Sequence, residues 1–385
     1  MTLELRQRST LQDIAREAWE PLARAADNFY LSYDWLRLVE RDREADARYL
    51  LLYKNEQLIA ALPTYLVQRE LNPDYEPARL IDGRWQGRYL IAGSRRAYLN
   101  DLLLHPDLDK QAREESLVLL SGALQERCLE GKRDAVLFLY LTTPSAALVR
   151  QAAPSTCPIL MTADAALDLP GTSFEHYLAA LSARRRGRVR HEMRTFEQCH
   201  YEVAVRRLET CWEEAGRLLG KLQGRYGTYG PDSYWQTMLQ QQAEYLDDQG
   251  LVFCCSSQGQ MVGFSLAYQW QGTLWFRAVG FDYDRLQQGG EYFALVFYQP
   301  LIYAYAQGLR RLHFGREAYE AKIGRGARLR PLWGIEMRQG NQAEAADSTW
   351  QFNRQTALAW RRRVSPFHQD VLLGEGWQQW GCGAE

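Results

Sequence analysis

Leu251-Val-Phe-Cys-Cys255-Ser-Ser-Gln-Gly-Gln260-Met-Val-Gly-Phe-Ser-Leu-Ala-Tyr-Gln-Trp270 is an apolar run, a polar turn and a second apolar run. That pattern is a β-hairpin. The first half of the chain repeats it. Tyr49-Leu-Leu-Leu-Tyr53 leads through Lys54-Asn-Glu-Gln57 into Leu58-Ile-Ala-Ala-Leu-Pro-Thr-Tyr65. Leu58-Ile59-Ala60 answers to Met261-Val262-Gly263, and Tyr65 to Tyr268. The match is one of physical character: apolar strand, polar turn, then a strand with a small residue near its start.

Outward from each hairpin the order is again shared. In the first half a third strand is expected at Leu99-Asn-Asp-Leu-Leu-Leu-His105. A helix follows over about 110–129, with Leu117, Leu120, Leu124 and Cys128 at helical spacing. A buried strand follows at 134–141. In the second half the third strand is Thr273-Leu-Trp-Phe-Arg-Ala-Val-Gly280. Its helix runs from about Glu291 to Gln307 and stops at Gly308, a C-cap residue. Arg311-Leu-His-Phe314 is the short strand after it. Meander, helix and strand, twice over, predict a duplicated α/β unit with mixed sheets and flanking helices. Ala153-Pro-Ser-Thr-Cys-Pro158 breaks the pattern between Pro144 and Ser173. The expected division is 1–155, 156–345 and a helical tail over 346–385, helical around 348–363.

Composition narrows the function classes. The chain has 385 residues, 46% hydrophobic and 24% charged, so two ordinary globular domains can each hold a core. The net charge of −1 supplies no global field for polyanions, so any nucleic-acid contact must come from a local patch. No apolar stretch approaches the roughly 20 residues of a membrane span, and Met1–Arg16 lacks an apolar signal core. A cytoplasmic location, with no membrane span and no DNA partner, is the expectation. The seven cysteines are odd in number and contain no CxxC pair, so neither a disulfide framework nor a metal site is expected. Twelve Trp and 22 Tyr point to packed interfaces or to a cleft for a flat substrate.

Two further segments carry chemistry. Residues 181–197 read as a helix with the basic run Ser182-Ala-Arg-Arg-Arg-Gly-Arg-Val-Arg190. Arg186, Arg190 and Arg194, four apart, line one stripe. The stripe is either a solvated basic face or a contact for donor phosphates or an RNA backbone. Gly220 to Trp235 is rich in Gly and aromatics, and a helix begins near Asp232 or Ser233.

The segment from Gln288-Gly-Gly-Glu-Tyr-Phe through Gly308, then Leu312-His-Phe-Gly-Arg-Glu-Ala-Tyr-Glu-Ala-Lys322 and Gly324-Arg-Gly326, resembles the Fem-like, double-GNAT acyltransferases. Phe174-Glu-His-Tyr-Leu-Ala-Ala-Leu-Ser-Ala-Arg-Arg-Arg is similar to that family's lead-in to its second domain. The resemblance implies two GNAT domains and transfer of an acyl or aminoacyl group to an amine or hydroxyl. The acceptor it implies is a small molecule or cell-envelope precursor. It implies no bound cofactor, with acyl-CoA or aminoacyl-tRNA as co-substrate and tRNA as a partner in the second case. Arg285-Leu-Gln-Gln-Gly-Gly-Glu291 departs from the Q/R-x-x-G-x-G/A loop of simple acyl-CoA enzymes, which leaves the donor open between the two.

Direct attack by an acceptor amine needs a proton acceptor, an oxyanion contact and a hold on the donor phosphates. Lys322, Glu317 and Glu291 are the candidate catalytic residues. Lys322 would stabilise an oxyanion or a phosphate, Glu317 would act as base, and Glu291 would orient the acceptor or complement the helix dipole. Gln288, Gly289 and Gly290 before a helix can turn backbone N–H groups toward phosphate. Arg316, Arg325, Arg186 and Arg190 complete the candidate donor site. Tyr226, Tyr229, Tyr234, Trp235 and Tyr292 are the candidate acceptor pocket. The six His residues fall in no catalytic motif. A binding module without chemistry and a tRNA-binding protein are the alternatives.

Overall fold

The computed structural model describes residues 3–227, 230–246, 248–338, 346–364, 371–372 and 374–383. The chain forms two compact units, 1–164 with 329–385, and 165–328.

In the first unit, β1 (Leu3–Arg8) is followed by α1 (Arg16–Ala26) and α2 (Tyr33–Glu40). The hairpin is β2 (Ala45–Lys54) and β3 (Gln57–Val67), paired from Ala45↔Val67 to Lys54↔Gln57. Then come β4 (Tyr89–Ala92), the short β5 (Leu103–Leu104), α3 (Lys110–Glu130), β6 (Ala135–Leu141) and α4 (Thr143–Ala152). β7 (Ile159–Asp168) carries the chain into the second unit.

The second unit continues with α5 (Phe174–Ala180), α6 (Ala183–Glu197), β8 (Glu202–Arg207), α7 (Trp212–Arg225) and α8 (Asp232–Tyr245). Its hairpin is β9 (Gly250–Ser257) and β10 (Gln260–Trp270), followed by β11 (Thr273–Phe281). Next stand α9 (Glu291–Phe293), a π turn over Ala294–Tyr298, α10 (Gln299–Ala306), β12 (Arg311–Gly315) and α11 (Tyr319–Gly324). β13 (Arg328–Arg338) and α12 (Ala346–Val364) return to the first unit.

Each unit lays out six strands in one plan. The first runs β1-β2-β3-β4-β6-β13 and the second β8-β9-β10-β11-β12-β7. In both, one parallel pair lies within an otherwise antiparallel sheet: β4 with β6, and β11 with β12. The last strand of the first sheet comes from beyond the second unit in sequence, while that of the second sheet is the strand that enters the unit. β13 pairs with β6 from Trp333↔Leu141 to Arg338↔Ala135, and β7 pairs with β12 from Arg311↔Asp168 to Gly315↔Ala165.

The pairing of β13 accounts for the largest departure of the units from the expected division. The boundary falls within β7 rather than at 155/156, and 329–338 leaves the second unit because β13 completes the first sheet. The tail helix is α12, and its buried Asn353 bonds Leu160 N, Pro158 O and Trp380 O within the first unit.

The third strand of the first half also departs from expectation. Only Leu103–Leu104 of the expected 99–105 is a strand, pairing with Ala60–Ala61. β4 supplies the rest, pairing Thr64↔Ala92 to Leu66↔Leu90. Between them the chain leaves the sheet at Gly93, whose φ is +94°. Buried Asn100 holds the excursion. Its amide accepts from Ser94 N and donates to Ser94 O and Leu139 O.

Candidate functional site

In the second unit β11 and β12 pair in parallel only from Thr273↔Arg311 to Trp275↔His313. Just beyond, Arg277 is the extra residue of a β-bulge, because Ala267 faces Phe276 while Leu266 faces Ala278. Bulges and the carboxyl ends of parallel strands recur beside active sites. Three turns surround this end: the loop from Asp282 to Gly290, the π turn, and the turn from Gly315 to Ala318.

The loop is tied down by Glu291, which is 3% exposed. Its Oε1 accepts from the Tyr201 hydroxyl at 2.7 Å and from Gln287 N at 3.0 Å. Gln287 N also donates to the Tyr201 oxygen at 2.8 Å, and the Gln287 amide donates to Cys199 O. Burial and the carboxylate push the Tyr201 phenol well above its ordinary pKa. Gln288 and Gly290 take positive φ, +59° and +83°. Gly289 lies against the Cys199 sulfur, and a side chain there would collide with it. The helix that follows has no side-chain cap at Gly290.

The π turn bonds Gln299 N to Ala294 O and goes no further in that register. Its next bond would join Pro300 N to Leu295 O, and proline has no N–H to give. The Ser265 hydroxyl donates to that carbonyl at 2.6 Å instead.

At the end of β12, Gly315, Glu317 and Ala318 stand at φ +65°, +67° and +46°. Two consecutive non-glycine residues in this region store strain that only surrounding contacts can hold. Lys322 supplies them. It is 4% exposed, and its Nζ donates to Phe314 O at 2.9 Å, Gly315 O at 3.1 Å and Arg316 O at 2.6 Å. An ammonium has three hydrogens. Lys322, expected to face an oxyanion or a phosphate, directs them at the turn's own carbonyls. Glu317 is exposed on that turn.

One helical turn on, Arg325 is 3% exposed. It donates to Glu192 Oε2 at 2.6 Å, to the Tyr298 hydroxyl at 3.2 Å and to Ala321 O at 3.0 Å. Tyr298 also donates to Glu192. The guanidinium lies 3.6 Å from the centroid of Phe293. Phe293 N bonds Gly290 O. The Lys322 segment and the Gly289-Gly290 bend are thus joined through Arg325 and Phe293. Arg325, expected as a donor contact, is taken up by a buried ion pair.

The remaining candidates fall in two places. On α6, capped by Ser182, Arg186 is half-buried and donates to Leu178 O. Arg190 is exposed and pairs with Glu175 at 3.7 Å. Around the Asp282 loop, Tyr226 is 69% exposed and shares a hydrogen bond with Tyr283. The Tyr283 and Tyr292 rings each lie 6.1 Å from Phe281, and burial pushes Tyr292 up to about 12. Trp235 is buried with its ring 5.0 Å from Tyr234. Tyr229 lies outside the described residues.

Sequence reading missed Glu192, Tyr201, Asp282 and Tyr283. Asp282 holds Lys221 at 2.7 Å. Glu192 sits 133 residues from Arg325, and its only local signal was an acid within a basic helix. Among the described residues no group of three or more His, Cys, Asp or Glu could hold a metal ion, and no helix is long and apolar enough to cross a membrane.

A family model described as FemAB-like, peptidoglycan biosynthesis/recognition, matches residues 102–361, more than half of the chain. No curated protein matches. Among solved structures, FemX is similar over 88% of this chain and 98% of its own, at 12% identity and a TM-score of 0.57. A tandem GNAT protein from the clavulanic acid biosynthesis pathway covers 88% and 99%, at 12% identity and 0.52. The C-terminal domain of a putative lysylphosphatidylglycerol synthetase from Agrobacterium fabrum covers 89% and 97%, at 11% identity and 0.52. These likenesses show the tandem GNAT fold.

Proposed function

Because this chain belongs to the FemAB-like family, we propose that its second unit transfers an acyl or aminoacyl group to an amine of a cell-envelope precursor. The observation that carries the reading is the Lys322-clamped turn, which presents exposed Glu317 beyond the end of β12. The amine nitrogen attacks the donor carbonyl. A C–N bond forms, the carbonyl's bond to the donor sulfur or ribose oxygen breaks, and the leaving group takes a proton. Glu317, directly or through a water, accepts the amine proton and returns it to the leaving group. Lys322 acts as a positioning residue that holds the strained turn. The uncapped helix at Gly290 offers backbone N–H groups and a positive dipole end to donor phosphate.

The basic helix favours aminoacyl-tRNA as donor. α6 carries six arginines against two glutamates, and one of those glutamates, Glu192, is engaged with Arg325. Arg184, Arg188, Arg190 and Arg194 are exposed. Such a face suits a phosphodiester backbone in a chain with no net positive charge.

The test incubates the protein with amine-bearing peptidoglycan precursors and a panel of charged tRNAs and acyl-CoAs. Mass spectrometry then reads the new amide. Product is expected with a charged tRNA, with turnover that falls steeply as salt rises. Glu317→Gln is expected to lower kcat about 10²–10⁴-fold with the fold intact. A new amide with acyl-CoA alone moves the donor assignment. No amide with any donor, and no donor that raises the melting temperature, overturns the transferase reading in favour of a binding module.

A further inference from the structure

β8, Glu202-Val-Ala-Val-Arg-Arg207, ends the strand order of the second unit, at the opposite end from β7. On one side it pairs with β9, from Glu202↔Ser256 to Arg207↔Leu251. Its other side is a strand edge. Five of its six residues are exposed and Arg206 is half-buried. Val203 and Val205, 41% and 43% exposed, stand on one face. Their partners on β9, Cys255 and Phe253, are fully buried. The valines therefore extend a buried apolar face to an open rim. Natural sheets blunt such edges with charge, proline or a cover, because an open apolar edge is a template for another strand. β1, the corresponding edge of the first unit, is blunted this way: Arg6 is pinned between Glu4 and Glu56 and lies over the Tyr53 ring.

From the order of residues we infer that the occupant of the β8 edge is β8 of a second copy of this chain, paired antiparallel about Ala204. Main-chain groups of a strand point alternately to its two sides, so an edge can add a strand only in registers that pair even positions with even and odd with odd. About Ala204, the sequence Glu202-Val-Ala-Val-Arg206 reads the same from both ends in kind. Glu202 faces the partner's Arg206, Val203 faces the partner's Val205, and the two-fold axis repeats each pair. Registers centred on Val203 or Val205 lose both matches. Arg206 now donates to Glu214 at 2.9 Å and to Thr210 O at 2.7 Å, and its side chain keeps 34% exposure. It can serve an incoming carboxylate without leaving Glu214. Main-chain hydrogen bonds bind such a pair, and side chains set its register. The association is independent of the transferase chemistry.

Sedimentation equilibrium on the full chain, from about 1 to 100 μM, tests it. The expected mass rises with concentration toward a dimer. Val205→Lys, on an exposed position, sets lysine against the partner's Val203 at both ends and is expected to weaken association at least tenfold with an unchanged circular dichroism spectrum. Glu202→Arg and Arg206→Glu each oppose like charges and are expected to weaken it several-fold. An equimolar mixture of those two chains restores complementarity and is expected to associate more tightly than either alone. A monomer at 100 μM overturns the proposal. So does a dimer indifferent to Val205→Lys, or a mixture no tighter than its components.

Discussion

β4 breaks off at Gly93 and the chain makes a ten-residue excursion before β5, whereas β11 runs unbroken through a single bulge at Arg277. After the excursion, α3 begins under an acidic cap. Asp109 accepts from Ala112 N at 2.8 Å, and the helix is regular for 21 residues. After β11, the helix begins at an uncapped Gly290 and passes through a π turn. Both units bury arginine close by. Arg95 and Arg96 meet Glu70 and Asp42 in the first, and Arg325 meets Glu192 in the second. The two units thus part at the helix start after the third strand, which an aspartate caps in the first and no side chain caps in the second. Copies of one sheet plan can diverge in this way when only one must keep a site, since capping and filling add stability that an open site forgoes.

The strongest way to break that comparison is through the carboxylates that pair with the buried arginines, Glu70 with Arg95 and Glu192 with Arg325. Removing one partner of a buried pair leaves an uncompensated charge and costs about 3–5 kcal/mol. Glu70→Ala and Glu192→Ala are each expected to lower the unfolding free energy, read from denaturant titration, by an amount in that range. They are expected to part on activity per folded molecule. Glu192→Ala lets Arg325 move, and with it the turn held by Lys322, so kcat falls. Glu70→Ala leaves kcat unchanged. Equal losses of kcat would mean that both units contribute to one reaction.

How much of this was legible follows from which interactions are local. The hairpins, α3 and the Gly-Gly bend are written within a few residues: alternating apolar runs, helical spacing, glycines at positive φ. The Leu99–His105 run misled because its leucines look like a strand while Asn100 and Asp101 are held by partners far along the chain. β13 returns to the first sheet, and β7 meets β12 about 140 residues on, by long-range pairing that no local pattern encodes. In the candidate site, Lys322, Glu291 and the glycines stood out by type. What they touch did not: Lys322 is spent on carbonyls six to eight residues back, and Arg325 on a glutamate of α6.

A smaller effect sharpens the account of the excursion. Asp101 accepts from Ser145 at 2.8 Å, from Asn28 at 3.1 Å and from Thr142. Burial outweighs these bonds and pushes its carboxyl up to about 6. The folded state therefore binds the proton more tightly than the unfolded chain, where the pKa is near 3.9. Its contribution to stability is fully present below that value and is lost as pH rises through about 6. Asp101→Asn keeps the shape and removes the titration. Wild type minus variant stability, from urea midpoints, is expected to fall by about 2 kcal/mol between pH 4 and pH 7. A flat difference would mean that the excursion closes without desolvating the carboxylate.

The smallest effects test the caps directly, by exchanging them. Asp109→Ala removes a side-chain acceptor from the start of α3 and is expected to cost about 1 kcal/mol, with kcat and KM unchanged. Gly290→Asp gives the second unit the acid that the first one has. A Cβ at Gly290 would meet only Phe293, at 3.9 Å, so the side chain has room. Aspartate tolerates the left-handed backbone better than most residues, which keeps the strain to about 1 kcal/mol. Its carboxylate would then sit at the positive end of the helix, in competition with a donor phosphate. The expected outcome is a several-fold rise in the donor KM, a smaller change in kcat and an unchanged acceptor KM. If the donor KM does not move, the open helix end is only a gap in the capping, and the donor phosphates are held elsewhere, with the exposed arginines of α6 the next group to neutralise.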